Sequence, residues 1–277
     1  MWRYDFHLFY QAGQAVLQGA SPYAIPDFYP PYLLAMLFAP LTLLPEGLAY
    51  GLYVTLQIAL LFKVRRWRAV WPLLSFPVAF ALFVGQVDFL LALLSVLWGP
   101  WALPLLLSKP QIAFIVAPSW WPQLRQQPRR AGYVLGLSLA FVALSFVLRP
   151  TWVAEWLAAT PSATAYAVRD ASLYWLVPAA YKPVAWLVGV PLALGLTLKG
   201  RLQAPSLAWP VRYLFAPFTN IYSASALFQW IGPWEVVLSW LAIFWVGTPH
   251  RGAPMFVVAL SILGRQMYAQ RRKRKFV

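Results

Sequence analysis

Long apolar stretches separated by short basic clusters dominate this sequence and constrain its fold more than any other feature. Of the 277 residues, 61% are hydrophobic and only 10% are Asp, Glu, Lys or Arg. A soluble domain carries about a quarter charged residues, and a single soluble core could not hide this much apolar surface. Most of that surface must therefore face lipid, which predicts an all-α, polytopic transmembrane helical bundle.

The basic residues are grouped, and their grouping predicts the orientation of the chain. Four clusters hold 15 of the 22 Lys and Arg residues: 63–68, 125–130, 199–201 and 265–275. Cytoplasmic loops of membrane proteins carry such an excess, so we expect these clusters inside the cell. The positive-inside pattern thus accounts for the formal charge of +15, and nucleic acid is not expected. The basic run 271–275 also suits contact with the anionic headgroups of membrane lipids.

The first third of the chain predicts an outer loop followed by membrane segments. Residues 1–30 are polar enough to lie outside the hydrocarbon, and the apolar spacing in 5–18 predicts an interfacial helix. The run 31–44 is short for a span and fits a re-entrant or interfacial helix better. Residues 46–62 then cross inward, and 69–84 return to the outer side.

Residues 89–122 allow two interpretations. A single span over 88–107 would place Lys109 inside and the basic loop 125–130 outside. A break at Gly99 and Pro100 gives three short segments, places Lys109 outside and keeps the basic loop inside. The charge rule favours the broken version, whereas segment length favours the single span.

The remaining sequence predicts further crossings within one domain. Residues 131–148 cross outward, 149–181 form an outer loop, and 185–198 return. Four apolar segments follow, at about 205–216, 222–231, 235–247 and 253–264. The total is nine to eleven membrane segments in a domain over 1–264, followed by a basic cytoplasmic tail over 265–277.

The acidic residues predict where chemistry occurs. Of the seven acids, five lie outside in this topology: Asp5, Asp27, Asp88, Glu155 and Asp170. The same side holds Lys109, Arg149, Arg169, Lys182, His250 and Arg251. A working site therefore points to the extracytoplasmic face of the cell membrane. The absence of Cys and the presence of only two His exclude thiolate chemistry and a His-rich metal site, and we expect no metal and no cofactor.

Three N-terminal fragments form a recognisable pattern. DFHLFYQAG at 5–13, LQGASPY at 17–23 and FYPP at 28–31 resemble the first outer loop of glycosyltransferase family 87. That pattern is an Asp, an aromatic-rich helix, G-x-S-P-Y and then Y-P-P. Later fragments resemble the family's motifs in the same order: GQVD at 85–88, with Asp88 in place of Asn, SKPQ at 108–111 and APFTNIY at 216–222.

The resemblance implies a GT-C fold enzyme that transfers a sugar, of mannose or arabinofuranose type, from a polyprenyl-phosphate donor to a lipid or glycan acceptor. Such transfer needs a base for the acceptor hydroxyl, a cation for the departing phosphate and a groove for the prenyl chain. Asp5 is expected to be the catalytic base and Lys109 to meet the phosphate. The other expected substrate-binding residues are Tyr10, Tyr23, Tyr29, Gln86, Asp88, Gln111, Asn220 and Tyr222.

Each of these residues also has an ordinary structural interpretation. Asp5 fits a helix cap, Lys109 a side chain that reaches the interface, Gln86 a turn, and Tyr222 the aromatic belt. The family pattern also has a membrane helix before its Asp, whereas four residues precede Asp5 here. A misplaced start, a fragment and a shortened, inactive protein would each explain this. The rival functions are an inactive GT-C relative that serves as an assembly subunit, and a lipid-linked-sugar flippase or other transporter.

Overall fold

The computed structural model describes residues 2–160, 171–198, 204–245 and 252–274. Within these ranges every regular element is a helix, which confirms the all-helical fold expected from the sequence. The α-helices are α1 (Tyr4–Leu17), α2 (Tyr32–Phe38), α3 (Glu46–Arg65), α4 (Val70–Leu74), α5 (Phe76–Val84), α6 (Val87–Trp98), α7 (Leu103–Leu106), α8 (Pro110–Val116), α9 (Trp121–Gln126), α10 (Pro128–Leu148), α11 (Trp152–Ala159), α12 (Lys182–Leu198), α13 (Pro205–Leu214), α14 (Pro233–Trp240) and α15 (Ala253–Arg274).

Short 3-10 segments connect many of these helices, and prolines account for much of the fragmentation. The segments are Pro22–Ala24, Ala39–Leu43, Arg66–Ala69, Gly99–Ala102, Ala117–Trp120, Leu173–Leu176, Ala179–Tyr181, Ile221–Trp230 and Leu241–Trp245. Proline has no N–H to donate, so it begins helices readily and interrupts them elsewhere. Pro110, Pro128 and Pro205 each begin a helix in this way.

Three helical runs are long and apolar enough to cross a membrane: Glu46–Leu74, Val87–Leu106 and Pro128–Leu148. The first and third bury few of their residues in the protein. Large apolar side chains such as Leu139 and Val147 of α10 therefore point outward. A helix of this kind is stable where its surroundings are lipid, so the structure supports a membrane protein.

The second of these runs reverses direction in its middle. A straight helix of its length would be about 30 Å long. Yet Nζ of Lys109, just past its end, lies 3.2 Å from Oδ1 of Asp88, at its start. The reversal occurs at Gly99–Ala102, where Gly99 has φ 57°. This geometry matches the interpretation that breaks the chain at Gly99 and Pro100.

The basic loop lies at the far end of this reversal. The guanidinium carbon of Arg130 is 5.8 Å from the ring centroid of Trp101, which belongs to the reversing segment. The structure therefore places Lys109 and the loop 125–130 at opposite ends of the same short helices, as the broken version requires.

Glycines seat α1 on the rest of the protein. A Cβ on Gly13 would lie 2.8 Å from the backbone of Phe38 and Ala39, so only glycine lets α1 approach the end of α2 this closely. A Cβ on Gly85 would lie 2.3 Å from Cβ of Phe6, and Gly85 has φ 78°. These contacts hold the start of α1 over the turn between α5 and α6.

Several predicted segments differ in detail from the observed ones. The helical run that starts at Glu46 continues to Leu74 before the chain becomes extended at Ser75. Of the segment expected at 222–231, residues 222–230 fall in the 3-10 segment Ile221–Trp230, and α15 runs without a break through residue 265, where the tail was expected to begin. Other predictions concern residues outside the described part: Arg169, Asp170, Lys199, Arg201, His250, Arg251 and Lys275.

Candidate active site

Five separate parts of the chain enclose a polar cavity of about 310 Å³. They are the first half of α1, the segment between Ala24 and α2, the α5–α6 turn, the residue just before α8, and the start of the segment Ile221–Trp230 with the residue before it. The cavity is lined by Tyr4, Asp5, Leu8, Phe9, Asp27, Tyr29, Pro30, Gln86, Lys109, Asn220 and Tyr222. Six of the residues expected from the sequence are therefore brought together here: Asp5, Tyr29, Gln86, Lys109, Asn220 and Tyr222.

Asp5 lies in the first turn of α1 and is held by Gln86. Nε2 of Gln86 donates to Oδ2 of Asp5 at 2.8 Å. Burial raises the pKa of Asp5 above its ordinary value, although the hydrogen bond from Gln86 and the charge of Lys109 oppose the shift. A carboxylate whose pKa is raised toward neutrality accepts a proton more readily, which is the property a general base needs.

Gln86 is itself fixed on both sides. Its side-chain oxygen caps α6 by accepting from the N–H of Val87, and its backbone carbonyl accepts from the hydroxyl of Tyr53 at 2.8 Å. The same side-chain oxygen lies 3.3 Å from Nζ of Lys109, which donates to it. One amide thus joins the carboxylate of Asp5 to the ammonium of Lys109.

Lys109 occupies the short stretch between α7 and α8, with its side chain 12% exposed. Its ammonium lies 5.9 Å from the ring centroid of Phe9 and 5.8 Å from that of Tyr222. It also forms an ion pair with Asp88 at 3.2 Å. These contacts direct the ammonium into the protein, which argues against an interpretation in which Lys109 only reaches for the membrane surface.

The structure corrects the expected position of Asp88. This residue was expected to orient sugar hydroxyls, but its side chain is fully buried and does not line the cavity. It lies behind Lys109, and its Oδ2 accepts from the hydroxyl of Ser223 at 2.7 Å. As the second residue of α6, Asp88 faces the core while Gln86, just before the helix, faces the cavity.

Asp27 is a cavity residue that was not singled out as a binding residue from the sequence. Its carboxylate accepts from the hydroxyls of Tyr4 at 3.0 Å and Tyr29 at 2.8 Å. The backbone of Asp27 has φ 65°, a conformation that Asp adopts more readily than most residues. One feature of the sequence could have identified Asp27 as a site residue: it is an acid directly before the FYPP fragment at 28–31.

Asn220 and Tyr222 form the opposite wall. Oδ1 of Asn220 caps the 3-10 segment by accepting from the N–H of Ile221 at 2.8 Å. Its Nδ2 donates to the hydroxyl of Tyr222 at 3.3 Å. The cap therefore fixes the side-chain amide of Asn220, and this amide in turn fixes the phenol of Tyr222.

A second, apolar cavity of about 320 Å³ adjoins the polar one and shares Tyr29, Pro30 and Lys109 with it. It is lined by those three residues and by Pro31, Pro110, Gln111, Phe114, Trp156, Val190, Pro217 and Phe218. Gln111, which was expected to bind substrate, therefore lies in this cavity. Its side-chain oxygen is buried and has no hydrogen-bond partner among the described residues.

Helix α11 holds the wall between the two cavities. Nε1 of Trp156 donates to the carbonyl of Tyr29 at 2.8 Å. Glu155 accepts from Nε of Arg149 at 2.9 Å, from the hydroxyl of Thr151 at 2.6 Å and from the hydroxyl of Ser21. The hydrogen bonds from Arg149 lower the pKa of Glu155 to about 2.

Two other residues expected to bind substrate lie outside both cavities. The hydroxyl of Tyr10 donates to the carbonyl of Leu44 at 2.8 Å, and its ring packs against Phe6 in the core. Tyr23 packs against Phe28, and burial raises the pKa of its phenol. Both belong to aromatic motifs whose spacing does not reveal which rings face the core and which face the site.

No group of three or more His, Asp or Glu side chains that could hold a metal ion occurs in the described ranges. Comparison with known proteins adds no family: no family model, no curated protein and no solved structure matches the chain. The site must therefore be interpreted from its own geometry.

Proposed function

We propose that this protein is a membrane glycosyltransferase of GT-C type that moves a sugar from a polyprenyl-phosphate donor to a lipid or glycan acceptor. The observation that carries the proposal is the junction at Lys109. A polar cavity that contains a carboxylate meets an apolar cavity there, and one ammonium borders both. A polyprenyl-phosphate sugar has the same order of parts, because its polar sugar, its anionic phosphate and its apolar prenyl chain follow one another.

The donor fits this junction in one direction. Its sugar lies in the polar cavity, where Tyr29, Asn220 and Tyr222 supply hydrogen-bonding groups. Its phosphate meets Lys109, and the first prenyl units lie against apolar residues such as Phe114 and Phe218. An ammonium in a partly buried site stabilises an anion more strongly than one in water.

The chemical step is then a single displacement. The oxygen of the acceptor hydroxyl forms a bond to the anomeric carbon as the bond from that carbon to the phosphate oxygen breaks. The hydroxyl proton moves to Asp5, and the electron pair leaves with the polyprenyl phosphate, whose developing charge Lys109 stabilises. Attack opposite to the leaving group inverts the anomeric configuration.

Orientation in the membrane is part of the same proposal. Arg65 interacts electrostatically with Arg68 and with Arg265, so two basic clusters lie near each other. The positive-inside rule assigns such clusters to the cytoplasm. The basic loop 125–130 lies at the reversal between α6 and α7. The catalytic site, at the other end of these two short helices, then faces outward.

The test is a transfer assay with purified protein in nanodiscs. Polyprenyl-phosphate mannose and polyprenyl-phosphate arabinofuranose, each radiolabelled in the sugar, are offered with mixed lipid and glycan acceptors. We expect label in the acceptor with the wild type, and a strong loss with Lys109→Met, which removes the phosphate contact. Lys109→Arg should recover part of the activity, because a planar guanidinium replaces a compact ammonium.

The same assay separates the rivals. Donor binding without transfer would overturn the catalytic proposal and support the inactive assembly subunit. Movement of the intact donor across the bilayer, without a new glycosidic bond, would support the flippase.

A further inference from the structure

A fully buried carboxylate lies directly behind the cation of the proposed site. Asp88 has no exposed surface, and its Oδ1 is 3.2 Å from Nζ of Lys109. A buried ion that loses its partner is strongly unfavourable, so the two charges depend on each other. The Asp88–Lys109 pair is thus more than a chance contact of two flexible side chains.

Ser223 fixes Asp88 from a third element. Its hydroxyl donates to Oδ2 of Asp88 at 2.7 Å, and its oxygen accepts from the N–H of Asn220 at 3.2 Å. One serine therefore connects the carboxylate with the loop that carries Asn220 and Tyr222. Oδ2 is used by Ser223, and Oδ1 faces the ammonium.

We propose that Asp88 is a positioning residue that, with Ser223, keeps the Lys109 side chain charged and directed at the junction of the two cavities. Lysine is flexible and loses its proton readily when buried, so it needs a fixed counter-charge here. The other acids near it are Asp5 on α1, which is within electrostatic range, and Asp27 across the cavity. Tyr222 presents its ring to the ammonium. Within the part of the chain that the structure describes, Asp88 is the carboxylate at ion-pair distance from Nζ of Lys109.

The first test needs no substrate. Lysines of the purified protein are ¹³C-dimethylated, and the Lys109 signal is assigned by its absence in Lys109→Arg. Asp88→Asn keeps the shape of the side chain and removes its charge. We expect the Lys109 amine to titrate at a lower pH in Asp88→Asn than in the wild type, because the neutral form is then favoured. An unchanged titration would overturn the proposal.

Serine variants provide a matched pair. Ser223→Ala keeps both charges but frees Asp88, and should shift the Lys109 titration in the same direction by a smaller amount. It is also the variant to use if Asp88→Asn does not fold. Ser225 is equally buried on the same segment, and its hydroxyl has no hydrogen-bond partner among the described residues. Ser225→Ala should leave the titration unchanged, and an equal shift in both serine variants would overturn the specific role of Ser223.

A second measurement connects this role to the proposed function, on which it rests. Binding of a fluorescent polyprenyl monophosphate is followed as a function of pH. The alkaline loss of binding should begin at a lower pH in Asp88→Asn, with affinity falling about tenfold per pH unit above the Lys109 midpoint. Lys109→Met should remove this dependence. If the wild type binds no polyprenyl phosphate while the Lys109 titration shifts as expected, the donor assignment fails and the positioning role stands.

Discussion

At the scale of single residues, the site depends on a polar bridge that keeps the carboxylate of Asp5 apart from the ammonium of Lys109. Gln86 touches Asp5 with its amide nitrogen and Lys109 with its amide oxygen. Without this spacer, the carboxylate and the ammonium would be free to pair directly. The base would then be stabilised as an anion, and its affinity for a proton would fall. The neutral amide of Gln86 therefore suits a site in which Asp5 accepts a proton and Lys109 stabilises an anion.

Asp5→Asn is the most direct test of the base. The amide keeps the size of the side chain but cannot accept the acceptor's proton. General-base catalysis contributes about 10²- to 10⁴-fold, so we expect kcat to fall by that factor while donor binding survives. Asp27→Asn is the matched control in the same cavity and should cost less. If Asp27→Asn is the inactive variant and Asp5→Asn transfers sugar normally, the base is Asp27.

The pH dependence of the rate gives an independent test of the same residue. Burial raises the pKa of Asp5, so its proton is lost at a higher pH than that of an ordinary Asp. The base is active only when deprotonated, so kcat/KM should rise with pH through this raised pKa. Glu155, with a pKa of about 2, is ionised throughout that range and cannot cause the same change. An acid limb at the pKa of a free Asp would contradict the assignment.

At the scale of helices, the site exists because α1 is seated on the α5–α6 turn. Gly85→Ala should move α1 away, since the new Cβ would meet Phe6 at 2.3 Å and φ 78° disfavours any side chain. We expect a lower melting temperature and at least a tenfold loss of transfer, because a displacement of about 1 Å can cost 10²-fold in rate.

Gly132→Ala provides the contrast. Gly132 lies within α10 and a Cβ there would meet no atom within 4 Å. Alanine is favoured over glycine in a helix by roughly 0.5–1 kcal/mol, so this variant should melt slightly higher and keep its activity. A thermal shift assay on both variants measures the difference. Equal melting temperatures for the two variants would show that Gly85 does not hold α1.

Sequence patterns predicted elements and motifs better than side-chain directions. The break at Gly99 was one of two interpretations that the sequence allowed, and the charge pattern favoured it. The grouping of Asp5, Gln86 and Lys109 was implied by the resemblance of their fragments to the motifs of one family. The burial of Asp88 could not be predicted, because a shift of two positions at the start of a helix, from Gln86 to Asp88, moves a side chain from the cavity to the core. Asp27 faces the cavity through a positive φ, which no pattern in one sequence reveals.

At the scale of the whole molecule, charge distribution and site position form one argument. Short helices α6 and α7 run between the site, at Gln86 and Lys109, and the reversing segment, where Arg130 of one basic cluster lies near Trp101. If the basic clusters are cytoplasmic, the cavity opens where a lipid-linked sugar on the outer leaflet can reach it. The proposed chemistry therefore depends on the orientation of the chain as much as on Asp5.

Cysteine labelling can measure that orientation, since the chain has no native Cys. Gln18 lies at the end of α1, and Arg129 lies in the basic loop; both side chains are exposed. In intact cells an impermeant maleimide should label Gln18→Cys and not Arg129→Cys, whereas both should react after the membrane is permeabilised. Neither position lines the polar or the apolar cavity of the site, so both variants should keep transfer activity as a check on folding. Labelling of Arg129→Cys in intact cells would show that the topology is the reverse of the one proposed. It would place the site on the cytoplasmic face, where an outer-leaflet donor could not reach Lys109.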